Sequence, residues 1–459
     1  MTKQRTVARL GAAGVLCAAL AACAGYAPKP LPQQLAARRR LDQLRVDARS
    51  VPLPRLAVQR IDLDRPLPMP AVAALAVLND PVLRAARDRA GVARAQAFAA
   101  GLLPDPSFSA SRDLPHGSPG ATSAYNLALN FDLGSLITRG AAVGAARAHL
   151  RSVDLQILWQ EWQVAASAEL DYVRLVGLRQ RDALLARRSA ALHERLARER
   201  AAVAHGELAR TVADADLVAL QALRAAAAAD ARQQLALDAS LHAMLGLRAD
   251  VPLRLGQLPH FGAADAARAH AALAQLPRIR PDLRALRAAY ASQQQRLRAA
   301  VLAQFPSISV GFSRARDTSD VHTVGFGVSF NLPLLNGSRG AIAVQSATRA
   351  QLFDDWRARL QDARAQARLA LADIALLQAR QVRLAAALPA LRGAARASAQ
   401  ALRRGDITLG QAQRARDALL GQQLALLDGG RRIAEQAVAL QLLTGSGTFA
   451  TSGAAAANG

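Results

Sequence analysis

Cysteine is nearly absent from the sequence, and this absence limits the chemistry of the chain. The only cysteines among 459 residues are Cys17 and Cys23, both near the N-terminus. Cleavage before Cys23, predicted below, would leave one thiol in the mature chain. One thiol excludes an intrachain disulfide or a cysteine zinc site, and its assignment to lipid excludes a cysteine nucleophile.

Aromatic residues and long apolar runs are also scarce. Aromatic residues make up 4% of the chain, although 52% of its residues are hydrophobic, because most of these are alanine and leucine. This composition is typical of close-packed helices rather than of one large globular core. No run after the first 25 residues is long and apolar enough for a transmembrane helix, so any membrane crossing would require strands.

Lysine is nearly absent as well, and arginine supplies the positive charge. The formal net charge is +24. Nucleic-acid-binding proteins often concentrate such charge in a basic patch. Here arginine is spread along the predicted helices without interleaved aromatic residues. The pattern therefore indicates solvated helix faces and no nucleic-acid partner, although the positive field could attract an anionic passenger or an acidic partner.

The N-terminal residues have the pattern of a secretory signal. Basic residues from Lys3 to Arg9 precede the apolar stretch Leu10–Ala22, which is too short to span a bilayer. The stretch ends in Leu-Ala-Ala-Cys, which resembles the lipobox of bacterial lipoproteins and makes Cys23 the predicted lipid-attachment site. Ala24 in place of Asp favours sorting to the outer membrane, by the same resemblance. The alternative is an ordinary signal peptide with a chance cysteine.

The chain repeats itself at a distance of about 200 residues, which is too long for a solenoid unit and indicates a duplicated half-protein. Each copy places two strands before a long alanine-rich helical stretch. The corresponding positions include Pro81 and Pro281, Pro106 and Pro306, Arg139 and Arg339, Gly206 and Gly405, and Gly246 and Gly445.

The repeat divides the chain into six predicted segments. The strands are predicted at about 105–133 and 306–332, and the helical hairpins at 139–247 and 339–444. The segments are a signal peptide at 1–22, a lipid-anchored tether at 23–71, a first repeat at 72–250, a linker or equatorial segment at 251–278, a second repeat at 279–445 and a disordered tail at 446–459.

Strict alternation of apolar and polar residues predicts the strands. It covers nine residues from Tyr125 to Leu133 and nine from Val324 to Leu332, and about nine to eleven residues is the length of a transmembrane β-strand. Each of these is preceded by a weaker partner and a polar turn, so each copy forms a hairpin. Two soluble hairpins with one face in water would show the same alternation. The small uncharged polar set of the second hairpin favours a water-filled lumen.

Long helices follow each hairpin. Arg139–Val203 contains no proline, and its apolar residues keep a seven-residue spacing that predicts supercoiled helix pairs. Gly206 and Gly405 are the only turn signals between outgoing and returning helices. Each copy is therefore predicted to be a long antiparallel coiled-coil hairpin, with a kink or interruption near Pro389.

One chain cannot satisfy these elements alone. Four strands cannot close a barrel, and open strand edges are not tolerated in lipid. The amphipathic helices also leave apolar faces uncovered. The sequence therefore predicts several copies that together form a strand barrel and a coaxial helical tube.

Residues 72–445 resemble the TolC-like outer-membrane factors of Gram-negative bacteria. The best local marks are Phe330–Gly337 followed by Arg339-Gly340, which resembles the family's strand-to-helix junction, and the tip at Gly405. The resemblance implies a mostly α mixed α/β membrane protein. It implies a homotrimer with a 12-stranded β-barrel in the outer membrane, continuous with a periplasmic α-helical barrel. The implied partners are a periplasmic adaptor, an inner-membrane pump of the resistance-nodulation-division or ABC type, and outer-membrane lipid.

The same resemblance assigns roles to single residues. Cys23 is the lipid site of the lipidated branch. The family's best-known member narrows its periplasmic end with aspartates at the places of Gln411 and Arg414, so an acidic constriction is not expected there. Asp214 and Asp216 are substitutes for it, or members of salt-bridged helix faces. The adaptor-contacting tips are Gly206, Glu207, Leu208, Gly405, Asp406, Ile407 and Thr408.

No pattern supports reaction chemistry. The eight histidines are scattered, and no metal-ligand spacing such as HExxH occurs. We therefore expect no enzyme activity, metal or cofactor, but a passive exit duct of a tripartite efflux system. The alternatives are the outer-membrane channel of a type I secretion system and, from another class, a periplasmic coiled-coil adaptor or scaffold lipoprotein.

Overall fold

A computed structural model describes residues 27–33, 37–116, 120–333 and 335–445. The predicted signal peptide, the lipid site Cys23 and the predicted tail lie outside these residues. The chain divides into two compact units, Met1–Ala37 and Arg38–Gly459. The described residues of the first unit contain no helix or strand.

The second unit is mostly helical, as the sequence predicts. Two helices dominate it: α4 has 71 residues and α9 has 66, which correspond to lengths of about 107 Å and 99 Å. α9 continues through Pro389 without an interruption. The helices are α1 Pro54–Ala57, α2 Met69–Asn79, α3 Pro81–Ala99, α4 Gly134–Ala204, α5 Arg210–Leu245, α6 Ala263–Ala272, α7 Leu276–Ile279, α8 Pro281–Leu302, α9 Arg339–Arg404 and α10 Leu409–Thr444.

Four strands form one antiparallel sheet in the order β1-β2-β3-β4. The two hairpins are joined by β2 and β3, where Leu129 lies opposite Phe312. Within the described residues, the outer edges of β1 and β4 have no pairing strand. The strands are β1 Ser107–Asp113, β2 Ala124–Asp132, β3 Ser307–Arg316 and β4 His322–Asn331.

The two repeats end their helices in the same way. The returning helices α5 and α10 both have 36 residues and both stop at a glycine with positive φ: +64° at Gly246 and +68° at Gly445. Glycine adopts this left-handed conformation without the steric penalty of a Cβ. A Cβ at Gly445 would also lie 2.8 Å from Cγ2 of Ile279, so this second stop also allows a close approach of the neighbouring segment.

Helix neighbours follow the order of the strands. Nearer the sheet, α4 packs between α3 and α8, and α8 packs against α9. Farther from it, α4 packs between α5 and α10, and α10 packs against α9. At both levels α9 therefore lies at one border of the helical layer. The other border is α3 near the sheet and α5 near the tips.

The largest hydrophobic core surrounds the middle of α4. Tyr172 is fully buried there, and its hydroxyl donates to the Gln257 carbonyl at 3.1 Å. α2 is almost entirely buried in this core and the adjoining one. Among the described residues, no single helix combines the length and apolarity needed to cross a membrane, although α2 and α3, which meet at a 49° bend, reach the threshold together by length and composition.

Much of the predicted tether packs onto the protein body. Residues 41–57 form two short 3₁₀ turns and α1, and Leu44, Val51 and Leu56 are buried. Arg55 of α1 donates to Glu169 of α4 at 2.5 Å, and Glu169 is 0% exposed. The apolar residues that hold this segment are scattered among prolines and follow no helical or strand periodicity. For this reason the composition alone suggested an irregular linker.

Candidate functional site

The turn between α4 and α5 forms the first hairpin tip. Gly206 has a φ of +73°, and its amide donates to the Val203 carbonyl at 3.0 Å. The next amide, of Glu207, donates to the Ala202 carbonyl at 2.9 Å. These bonds close the helix C-terminus and leave Glu207 exposed and Leu208 half-buried.

The second tip, between α9 and α10, repeats this closure. Gly405 has a φ of +80°, and the Asp406 amide donates to the Ala401 carbonyl at 2.9 Å. The Asp406 carboxylate also accepts from Arg404 at 2.8 Å. Ile407 lies half-buried beside it. Both tips therefore present a glycine-closed turn with one exposed carboxylate residue.

Thr408 and Gln411 start α10 with a capping box. The Thr408 amide donates to Oε1 of Gln411 at 2.8 Å, and the Gln411 amide donates to Oγ1 of Thr408 at 3.3 Å. These bonds satisfy two amides that a helix N-terminus otherwise leaves unpaired. The Gln411 side chain is thus held at the helix start, whereas Arg414 is exposed one turn later.

The two aspartates predicted to substitute for the acidic constriction have different surroundings. Asp214 is exposed and lies 3.8 Å from Arg210 on the same helix. Asp216 is 2% exposed and accepts a hydrogen bond from Nε of Arg195 on α4. Its side chain therefore lies inside the first hairpin, between α4 and α5.

Arg195, Glu199 and Asp216 form a buried charged cluster about three helical turns from the first tip. A carboxylate oxygen of Glu199 lies 3.4 Å from Nε of Arg195. Burial raises the pKa of Glu199 to about 7, the Asp216 carboxylate adds to this shift, and Arg195 opposes it. At neutral pH the cluster can therefore hold a proton that an exposed glutamate would release.

The cluster continues into the second repeat. Arg188 of α4 donates to Asp417 of α10. Burial lowers the pKa of Arg416, and the positive charges of Arg195 and Arg188 lower it further. Charged groups of both hairpins therefore meet at one level near the tips, and no sequence motif marks this meeting.

The sheet has one apolar and one polar face. Phe108, Leu129, Phe312 and Phe326 lie opposite one another in one row across the four strands, and the rings of Phe312 and Phe326 are 5.3 Å apart. Three of these residues are more than half exposed. The opposite face carries small and polar residues, namely Ser107, Ser109, Ser111, Asn126, Asn130, Gly311, Ser313, Gly325, Gly327 and Ser329.

Close contacts at glycine hold the sheet against the helices. A Cβ at Gly134, the first residue of α4, would lie 2.5 Å from Cβ of Ser307 on β3. This contact joins the first repeat's helix to the second repeat's strand. The isolated glycine before an alanine-rich stretch gave no sequence signal of it.

No metal-binding cluster of histidine, cysteine or acidic side chains occurs within the described part of the chain. A surface cavity with a volume of about 360 Å³ lies between α3, α4, α8 and α9. Its lining includes His149 and Arg296 but no acidic side chain. The chemistry-bearing features are therefore the tips, the charged cluster and the two-faced sheet.

No protein-family model matches the chain, and no curated protein matches it. Solved structures do match it over most of its length. The outer-membrane channel OprN is 19% identical with a TM-score of 0.72, and the match covers 93% of this chain and 99% of that one.

Two further channels show the same likeness. The outer membrane protein VceC of Vibrio cholerae is 18% identical with a TM-score of 0.69, over 83% of this chain and 96% of its own. The CmeC outer membrane channel of Campylobacter jejuni is 15% identical with a TM-score of 0.68, over 83% and 86%. The chain therefore has the fold of these outer-membrane channels, and the TolC-like fold predicted from the sequence is confirmed.

Proposed function

We propose that three copies of this chain form an outer-membrane exit duct of a tripartite efflux system. In this arrangement the strands form a 12-stranded barrel in the membrane, and the long helices form a continuous tube in the periplasm. The duct conducts substrates passively, because energy enters at an inner-membrane pump. The fold shared with solved outer-membrane channels supports this proposal.

The sheet is the observation that carries the proposal. Its apolar face exposes Phe108, Phe312 and Phe326, a patch that a soluble protein would normally cover. In the described chain, β1 and β4 also have unpaired outer edges. Lipid would cover the apolar face, and pairing of β4 in one copy with β1 in the next would satisfy the unpaired strand edges.

The helices support the same assembly. α9 lies at a border of the helical layer both near the sheet and near the tips, while α6 packs against its middle. Its exposed apolar side chains include Leu369, Leu376 and Val382. In a closed ring this border meets α3 near the sheet and α5 near the tips of the next copy. The same interface between neighbouring copies, repeated three times around a threefold axis, then closes both the barrel and the tube.

The proposal gives roles to the predicted site residues. Cys23 carries the lipid that anchors the chain. The glycine-closed tips, Gly206 to Leu208 and Gly405 to Thr408, contact the periplasmic adaptor, which recruits a pump of the resistance-nodulation-division or ABC type. Arg414, Asp214 and Gln411, all exposed near the tips, remain candidates for the periplasmic aperture, whereas Asp216 is buried.

Mass and conductance of the purified full-length protein test this function. We expect a trimer by native mass spectrometry in detergent and discrete conductance steps in planar bilayers after the tips are opened. A matched pair of variants sharpens the result: Val310→Asp on the apolar face should abolish insertion, whereas Ser309→Asp on the polar face should not. Both residues lie on β3. A monomer without conductance would contradict the duct.

Fractionation separates this duct from a periplasmic adaptor or scaffold lipoprotein. A scaffold held by lipid alone leaves the membrane when Cys23 is replaced by alanine behind a cleavable signal, whereas a barrel stays embedded until detergent is added. A type I secretion channel shares the duct, and only the pump that co-purifies distinguishes it from efflux. The two-hairpin, two-strand-pair architecture favours a duct over an adaptor.

A further inference from the structure

The apolar face of the sheet ends in a row of basic and aromatic residues. Arg112 pairs with Tyr125, Tyr125 with Arg316, and Arg316 with His322, so the row crosses all four strands. Because directly paired residues point to the same side of a sheet, these side chains share the face of Phe312. Arg314 lies on this face one row nearer the helices, between Leu127 and Val324.

The row lies at the end of the strands that is far from the helices. It borders the connections between β1 and β2 and between β3 and β4. From Phe330 at the helix end of β4 to His322 is eight residues, or about 27 Å along the strand. The residues between them on this face, Val324, Phe326 and Val328, are all apolar and exposed. The basic row therefore closes one end of an apolar band.

Position decides whether an arginine is tolerated on a lipid-facing strand. Arginine is strongly disfavoured at the bilayer midplane but nearly neutral close to the interface, and aromatic residues form girdles at that level. A row of two arginines, a tyrosine and a histidine at the strand ends matches the interface, and the apolar rows match the hydrocarbon region.

Within the described residues, two of the three guanidinium groups on this face have no carboxylate partner. Arg316 lies 3.0 Å from Asp320, and the ring of His322 lies 3.9 Å from the same carboxylate. Arg112 donates to the Ser123 hydroxyl at 3.4 Å. Arg314 is exposed, and no carboxylate of the described residues forms an ion pair with it or with Arg112. A phosphate is the group that an arginine fork pairs with best at a membrane surface.

We propose that Arg112 and Arg314, with Tyr125 beside them, bind phosphate groups of anionic lipids in the outer leaflet of the membrane. This inference rests on the proposed function, since it needs the sheet in the membrane with its helices on the periplasmic side. The occupant is a lipid rather than a soluble anion because the arginines adjoin an exposed apolar band, where acyl chains continue from the headgroup. The site adds lipid selectivity to the duct and fixes the depth of the sheet.

Competitive lipid binding to the full-length protein tests this site. The protein is placed in nanodiscs that contain phosphatidylcholine and lipid A, whose headgroup carries phosphomonoesters, and the lipids retained after mild extraction are measured by native mass spectrometry. We expect wild type to retain lipid A preferentially. The Arg112→Gln/Arg314→Gln variant should lose about fivefold of this preference per arginine, or about 25-fold in all.

Two further variants serve as controls. Arg364→Gln/Arg368→Gln removes the same charge from exposed positions of α9 and should bind as wild type does. Arg112→Lys/Arg314→Lys keeps the charge and should retain most of the preference, which guards against a folding defect in the glutamine variant.

The outcomes separate the two proposals. If wild type forms a conducting trimer in phosphatidylcholine but shows no preference for lipid A, the proposed lipid site is wrong, and the proposed duct function is still supported. Equal binding by wild type and the glutamine double variant has the same meaning. If wild type neither trimerises nor conducts in any lipid, both proposals fall.

Discussion

Arg195 of α4 donates a hydrogen bond to Asp216 of α5, and both residues are at least nine-tenths buried. Glu199, one turn along α4, shares this environment with its own carboxylate. Arg195 and Arg198 favour the charged form of Glu199, but burial and the Asp216 carboxylate outweigh them. Protonation of Glu199 removes the repulsion between the two carboxylates.

Replacing Glu199 with Gln should change how stability depends on pH. The wild-type pKa is raised from 4.5 to about 7, so the folded chain keeps a proton that the unfolded chain releases between these values. Wild-type stability therefore falls as pH rises through this window. Glu199→Gln stays neutral and should equal wild type below pH 4.5, where both states of the wild-type chain keep the proton. Above pH 7 it should be more stable by about 1–3 kcal/mol.

Thermal unfolding in detergent at pH 5 and pH 8 measures this difference. Glu194→Gln is the matched control, because Glu194 is exposed on the same helix. The control should show the wild-type pH dependence. A variant that loses stability with rising pH as steeply as wild type does would rule out Glu199 as the titrating group.

Arg55→Ala should destabilise the core around the middle of α4. It removes the ion-pair partner of Glu169, a residue that is 0% exposed and that then keeps, among the described residues, only the hydrogen bond from Gln441, at 3.0 Å. Breaking a buried ion pair on one side typically costs about 3–5 kcal/mol. Arg65→Ala removes an exposed pair with Asp62 and should cost about 0–1 kcal/mol. Chemical denaturation of the two variants compares them, and equal losses would contradict a structural role for Arg55.

Gly134→Ala should disturb the junction between the sheet and α4. The new Cβ would meet Cβ of Ser307 at 2.5 Å and its Cα at 2.9 Å, so backbone must move, at a cost of about 1–3 kcal/mol. Gly140→Ala lies two turns along the same helix in open space and should stabilise it by about 0.5–1 kcal/mol. Thermal unfolding of the purified variants measures both effects, and Ser307→Gly should partly rescue Gly134→Ala.

Gly405→Ala should strain the second tip. The position has a φ of +80°, and a residue with a Cβ pays about 1–2 kcal/mol in this conformation. Gly393→Ala, in the helical part of α9 with open space around it, should instead be neutral or stabilising. Hydrogen exchange of the tip amides, above all that of Asp406, should accelerate in the first variant alone. Unchanged exchange in both would mean that the turn tolerates a side chain.

Much of the fold follows from patterns with a fixed period. Alternation at Tyr125 to Leu133 and Val324 to Leu332 predicts β2 and β4, because one face of each strand is uniformly apolar. The duplication predicts the paired stops at Gly246 and Gly445, where a left-handed residue is needed in both copies. The absence of proline from Arg139 to Val203 predicts the single long helix α4.

Other features arise from contacts between distant parts of the chain, which no local pattern records. Residues 41–57 are irregular, yet Leu56 is fully buried because the core supplies partners for it. The pairing of Arg195 with Asp216 depends on the register of α4 against α5, and the row from Arg112 to His322 depends on the register of four strands. Such registers are set by packing and are visible only in three dimensions.

The pairing of β2 with β3 bears on how the chain reaches its folded state. Asp132 pairs with Ser309, so this ladder closes a loop of about 180 residues, and the entropy of that closure must be overcome before the ladder forms. The first hairpin can form early, but the free edge of β2 stays unpaired until β3 of the second repeat has been synthesised and lies beside it. During that interval the edge is open to pairing with the wrong strand of another copy, so the chain is most prone to aggregate after its first hairpin has formed and before the second repeat folds onto it.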